Sequence, residues 1–246
     1  AAQEVGHLYP RTEDGGTPLV YFWVRTVKCP NPACEVEIPL TGSWIASARK
    51  GSEQRFYPVY NPTQHAFDVR IVSGSSPAGS AGTMRRTGAT CPRCDGNVPL
   101  PYIKGEGQAG RLGVRMLALQ TRRGRTRTFE PATSTQRHTA SRVPAVETDW
   151  LDHDLSTHSQ YMAPPRYGMK RFRDLFLPRQ LAMLSSFVTG LDRVEQNVML
   201  DALARGMAAD DARYSEGGVG ARAYAEAIRI LLSLGLGRLI NRQSTL

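Results

Sequence analysis

The feature that most constrains this chain is a pair of cysteine knuckles, Cys29-Pro-Asn-Pro-Ala-Cys34 and Cys91-Pro-Arg-Cys94, which hold all four of its cysteines. A thiolate pair a few residues apart grips one metal ion from a tight turn, and two such turns complete the tetrahedral four-thiolate site of structural zinc. The second knuckle, C-x2-C followed by Asp95-Gly96, has the commoner spacing. The first, C-x4-C, is wider, and Glu35 stands where a turn glycine would be welcome. Two other readings compete: a pair of disulfides, for which four cysteines allow three pairings, and four unrelated thiols. Paired spacing in a chain without a visible secretory signal favours zinc. A closed four-thiolate site has no open coordination position, so the expectation is a structural staple and not zinc catalysis.

The rest of the chain reads as α+β: a zinc-ribbon-containing antiparallel β module, then a linker and a C-terminal helical pair. Residues 1–18 look like the end of a preceding helix, stopped near Pro10, and so abrupt a start reads as a fragment. The β module spans 19–128. Leu19 to Val27 is β-branched and aromatic on both faces, which predicts a central strand running into the first knuckle. Val36 to Leu40 and Ser43 to Ala48 return from it. Arg55 to Tyr60 and His65 to Val72 form a hairpin in which Phe67, Val69 and Ile71 alternate with Asp68 and Arg70. The Gly/Ser/Pro/Ala stretch 73–82 reads as a loop, Gly88 to Thr90 leads into the second knuckle, and Arg111 to Gln120 reads as a further strand. Residues 129–170 lack periodicity and read as an irregular linker. From Pro178, Leu181, Leu184, Val188, Leu191, Val194 and Val198 recur at helical spacing, and Tyr224, Ile228, Leu231 and Leu239 mark a second helix, so 171–246 is the helical pair.

Three motifs invite chemistry and do not carry it. Gly105-Glu-Gly107-Gln-Ala-Gly110 matches a dinucleotide fingerprint literally, but no buried strand precedes it, so a turn is expected there. Ala163-Pro164-Pro165-Arg166-Tyr167 resembles an amino-methyltransferase motif superficially, yet Ala163 has no acceptor side chain. His138, His153 and His158 with Asp149, Asp152 and Asp154 fit no metal template and read as loop residues.

Charge points to a polyanion. Lys and Arg outnumber Asp and Glu by 31 to 22, a net charge of +9, and the pI is near 9.7. Arg111, Arg115, Arg122, Arg123 and Arg125, with Arg127 beside them, are the candidate nucleic-acid backbone contacts, since arginine-dense strands suit phosphates; the competing reading is an ordinary solvated surface or pairing with acidic residues elsewhere. Arg166, Lys170, Arg171 and Arg173, interleaved with Tyr167 and Phe172, form a second basic run. No apolar run approaches the ~20 residues needed to span a bilayer, so no membrane partner is expected and the cytoplasm is the default location.

Several stretches together are similar to one family. They are Glu4-Val5-Gly6-His7-Leu8-Tyr9-Pro10, Val24 to Cys34, Cys91-Pro-Arg-Cys94, Glu106-Gly107-Gln108-Ala109-Gly110-Arg111, Tyr167-Gly168-Met169-Lys170, Asp174-Leu175-Phe176, Arg179-Gln180-Leu181 and Arg238-Leu239-Ile240-Asn241. In this order they resemble the middle of the large bacterial and archaeal adenine-specific DNA methyltransferases that begin with a conserved domain of unknown function. The resemblance implies an S-adenosylmethionine-dependent enzyme in a restriction or phage-defence setting. Its cofactor motif would precede residue 1 and its Asp-Pro-Pro-Tyr motif would follow residue 246. Only Cys29, Cys34, Cys91 and Cys94 carry over, as zinc ligands. Members tend to place a threonine where Leu177 stands; losing that helix-capping hydroxyl costs about 1 kcal/mol. The expected partners are DNA or, in an alternative reading as a docking module, other protein subunits of a defence complex.

Overall fold

The structure, a computed structural model, describes residues 2–74, 81–143, 146–158 and 163–243. Positions 75–80 of the expected loop lie outside the described residues. In chain order the elements are α1 (Ala2–Val5), β1 (Thr17–Lys28), β2 (Glu37–Leu40), β3 (Ile45–Ser47), β4 (Gln54–Asn61), β5 (Ala66–Ser73), β6 (Met84–Arg85), β7 (Gly88–Thr90) and β8 (Asn97–Pro99). Then come α2 (Leu100–Gln108), β9 (Gly113–Arg123), β10 (Thr126–Pro131), α3 (Ser134–Ser141), α4 (Pro178–Ala204) and α5 (Ala221–Gln243). The fold is α+β, with a large, mainly antiparallel sheet and two long C-terminal helices. The described residues divide into two compact units: Tyr9–Arg142 with Asp154–Arg171, and Ala1–Leu8 with Val143–His153 and Phe172–Leu246.

The first unit is built on a seven-stranded sheet of order β10-β9-β1-β2-β5-β4-β3. β1 is central, paired with β9 on one side and β2 on the other, as its apolar faces require. β2 meets β5 through the single parallel pair Glu37↔Ala66. The sheet curls at that short junction, so strands from opposite ends of the order share a core. Phe22 on β1 lies 5.1 Å from Phe56 on β4 and 5.6 Å from Phe129 on β10, ring centre to ring centre. Val24, Trp44, Val69, Leu117 and Ala118 complete this cluster. A second cluster joins the large sheet to the three-stranded sheet β6-β7-β8: Val27, Val36, Ile38 and Phe67 pack with Val98 and Ile103 around the cysteines.

Two α-helices differ from the sequence expectation. The glycine-rich stretch 105–110, expected as a turn, continues helix α2 through Gln108. Pro101 lies in the first helical turn, where the missing N–H costs nothing, so it starts the helix and does not break it. Gly107 is needed for close approach. A Cβ there would stand 2.7 Å from the Tyr167 carbonyl carbon and 2.9 Å from its Cα, and Gln108 Nε2 donates to the Pro165 carbonyl at 2.6 Å. The prolines 164–165 are thus part of a 3-10 turn that seats α2. Gly107→Ala is expected to destabilise this unit by about 2 kcal/mol through overpacking against backbone, read as a lowered midpoint in urea unfolding.

The second departure is α3, inside the stretch expected to be irregular. Thr133 caps it: its Oγ1 accepts from the Gln136 N–H at 3.2 Å while Gln136 Oε1 accepts from the Thr133 N–H at 2.9 Å. This reciprocal box satisfies two orphan donors of the first turn. Ala140 then packs on Met116, Leu119 and Ala132 beneath the sheet.

In the second unit α4 begins at Pro178, as its periodicity predicts. Leu177 offers no capping hydroxyl, but its N–H donates to Gln180 Oε1 at 2.7 Å, the reverse half of a capping box. Arg179 is buried and donates to the Leu8 carbonyl at 3.1 Å, and Arg193 holds Glu4 at 2.5 Å. α5 packs along α4 with Arg229 on Asp192 and Glu195. Its buried residues are the small Ala221, Ala223 and Ala225. Among the described residues no helix is long and apolar enough to cross a membrane.

Candidate metal centre

Each knuckle is a closed turn. The Cys29 N–H donates to the Val36 carbonyl at 2.9 Å and the Cys91 N–H to the Gly96 carbonyl at 3.0 Å, so each loop is shut two residues past its second cysteine. The residue between is left-handed in both: Glu35 at φ 44° and Asp95 at φ 54°. The sequence signal at Glu35 is therefore real, and a non-glycine residue holds the strained position. The extra residues of the first knuckle are taken up by Asn31. Its carbonyl accepts from the N–H groups of Cys34 and Glu35, and its side chain from Ala33.

The two turns bring four free thiols together from positions far apart in the chain. Their Sγ atoms all lie within 4.8 Å of one another; Cys29 to Cys94 is 3.8 Å and Cys34 to Cys91 is 3.8 Å. Four thiolates held about 2.3 Å from a tetrahedral zinc ion are separated by about 3.8 Å along each edge. The residues fit the metal. The distances also exceed the ~2.05 Å of a disulfide, so the four cysteines form one cluster that could hold zinc. As thiols they differ: burial pushes Cys29 up to about 12 and raises Cys91, whereas the Gly96 N–H draws Cys94 down to about 7. Zinc would bind them as thiolates, close the cluster and tie the two sheets together.

Sequence reasoning missed the shell around this cluster. The Cys34 carbonyl accepts from His65 Nε2 at 2.6 Å and from Arg93 Nη1 at 3.2 Å. Tyr60 Oη meets His65 Nδ1 at 2.9 Å, and the Arg93 guanidinium lies 4.6 Å from the centre of the Tyr60 ring. The second knuckle and the β4–β5 turn thereby clamp the first knuckle from outside, the orienting role of groups beyond the ligands. The available signal was Arg93, between two ligands. Among the described residues no other group of three or more side chains is placed to hold a metal, so the histidines 138, 153 and 158 do not gather into a site.

The five candidate DNA-contacting arginines have separate fates. Arg115 is largely buried, and its guanidinium is committed to the Phe67 carbonyl at 2.9 Å, Gln64 at 2.5 Å and Asp68 at 2.6 Å. Arg111 is exposed but forms a two-pronged pair with Glu106 at 2.7 and 2.9 Å. Arg123 is paired with Asp14 and, at 3.9 Å, with Glu130. Arg122 and Arg125 are exposed with no acidic partner among the described residues, as is Arg127. In the second basic run, Arg171 pairs with Asp154 and Arg173 with Asp152.

The three free arginines occupy one hairpin tip. Arg122 on β9 and Arg127 on β10 are direct cross-strand partners, and Arg125 sits in the two-residue turn beside Gly124, whose φ is 56°. Glycine there meets the demand of a tight hairpin for a left-handed first residue. No protein-family model, curated protein or solved structure matches this chain.

Proposed function

We propose that this chain is the zinc-stapled, DNA-holding segment of an S-adenosylmethionine-dependent DNA adenine methyltransferase in a restriction or defence setting. The observation that carries DNA contact is the Arg122–Arg127 pair. Like charges directly opposite across two strands are destabilising, and among the described residues no carboxylate relieves them. An external phosphate would. With Arg125 at the turn, the tip presents three cations to a backbone while the metal cluster stiffens the same unit from its other sheet. Methyl transfer rests on the family resemblance alone, and the proposal places cofactor and catalytic motifs outside these residues. Enzymes that act on a stacked base need protein surface to hold the distorted duplex, and this segment would supply it.

The test is fluorescence anisotropy of a labelled duplex with the zinc-loaded chain across a salt series. Log affinity is expected to fall steeply with log salt. Changing Arg122, Arg125 and Arg127 together to alanine is expected to flatten the slope by about 2–3, at roughly 0.9 per phosphate. Changing Arg115 would cost stability instead. An unchanged slope in the triple variant, or methyl transfer from S-adenosylmethionine by this chain alone, overturns the assignment.

One observation favours the second reading, a partner-docking module. The far half of α5 exposes Ile230, Leu231 and Leu234, the last two 64% and 67% accessible. A helix apolar on all sides is normally covered. Concentration-dependent assembly in sedimentation, without DNA affinity, would select that reading.

A further inference from the structure

We propose that the outer face of β3–β4–β5 is a stacking platform for unpaired nucleic-acid bases, with Tyr57 as the ring that receives a base. The inference rests on the DNA-binding reading above and specifies which form of nucleic acid this face takes. Strand alternation turns Phe56 and Val69 into the core, both buried. It therefore turns Arg55, Tyr57 and Val59 outward, opposite Val72, Arg70 and Asp68. β3 adds Ile45, the register partner of Arg55. Ile45, Tyr57 and Val59 are 49%, 51% and 42% accessible. None of the three is needed to fill the core, because the inner face of the same strands already does so.

The chemistry of the patch is specific. The Arg70 guanidinium lies over the Tyr57 ring, 4.5 Å from its centre, which holds both side chains upright at the surface. Among the described residues Arg70 has no acidic partner. The one carboxylate on this face, Asp68, is neutralised by Arg115 and Arg137. The face thus combines an exposed ring, two aliphatic side chains and uncompensated positive charge. That pairing of stacking surface with cation is what single strands use, because every base has a π-face and every nucleotide a phosphate. A duplex offers this platform phosphates but keeps its base faces covered, so nothing reaches the ring. A flipped or locally melted segment does.

The experiment uses the whole zinc-loaded chain and two labelled probes, a short oligothymidylate and a duplex. Tyr57→Ala is expected to weaken single-strand binding about ten-fold and to leave duplex binding and its salt slope unchanged. Tyr57→Phe, which keeps the ring, is expected to retain single-strand affinity. Zinc content and circular dichroism confirm that the exposed substitution leaves the fold intact. If Tyr57→Ala binds the single strand as tightly as the unaltered chain, or Tyr57→Phe loses as much as alanine, the platform is wrong. In that case the hairpin-tip reading still stands if the triple arginine variant loses its duplex salt slope. If the unaltered chain binds neither probe, both readings fall.

Discussion

Replacing Cys91 by serine is expected to abolish zinc binding and to unfold the β unit around it. Cys91 is fully buried and packs among Val27, Val36, Ile38, Phe67, Val98 and Ile103. Those apolar groups come from both sheets and from α2, and a zinc ion on the four thiolates would tie them together at their centre. A structural zinc site contributes about 10–16 kcal/mol at neutral pH, comparable to or larger than the roughly 5–15 kcal/mol by which a whole domain is stable. Losing it leaves buried polar atoms facing one another with no ion between. Metal content by atomic emission should give one zinc per unaltered chain, held by the four cysteines, and none in Cys91→Ser. Near-ultraviolet circular dichroism should collapse in the variant and in the unaltered chain treated with chelator. Cys94→Ser should be milder, since Cys94 is the one ligand not buried and water can take its coordination position. A Cys91→Ser protein that remains folded without metal would show that the cluster is not a staple.

How far the sequence foretold this arrangement depends on the range of each interaction. The knuckles were legible because a thiolate pair and its left-handed follower lie within a few residues, and Glu35 and Asp95 occupy those positions. The β4–β5 hairpin was legible because alternation is local, and Phe67, Val69 and Ile71 do face Tyr60, Pro58 and Phe56. Helix α2 was not, because what licenses its glycines is the backbone of Tyr167, which is brought against Gly107 only by the fold. α3 was hidden by polar composition; its signal was the capping pair Thr133 and Gln136, three residues apart. The arginines show the same limit. A charge count cannot tell Arg115, which is bound to Asp68 from another strand, from Arg122, which meets no acid among the described residues. Proximity in sequence made them one patch, and the fold separates them into an internal brace and an outward-facing tip.

That brace carries the last expected result: Asp68→Ala should cost about 3 kcal/mol at neutral pH. The Asp68 carboxylate accepts from Asn61 at 2.7 Å and from Arg115 at 2.6 Å, and pairs with Arg137 on α3 at 3.2 Å. It therefore ties β4, β5, β9 and α3 together through one side chain. Removing it leaves two guanidinium groups, only 11% and 18% accessible, with no counter-charge. An uncompensated partly buried cation is the costly outcome, more so than the loss of the attraction itself. For a unit of this size the melting midpoint should fall by roughly 6–12 °C. The pH dependence has a definite sign. Burial is the largest influence on Asp68 and by itself would raise its carboxyl. The hydrogen bonds from Asn61 and Arg115 and the charges of Arg137 and Arg115 together outweigh it, holding the group below the usual carboxylate range. A depressed folded value means the stabilisation is complete above the unfolded carboxyl pKa, about 3.9, and is lost as pH falls through the folded value. Melting both proteins in parallel from pH 7 downward, for as long as the metal stays bound, should give a constant gap, because the carboxyl titrates only near about pH 4 and below. A gap that shrinks while the metal is still bound, or no gap at neutral pH, would mean that Arg115 and Arg137 are not held by this carboxylate.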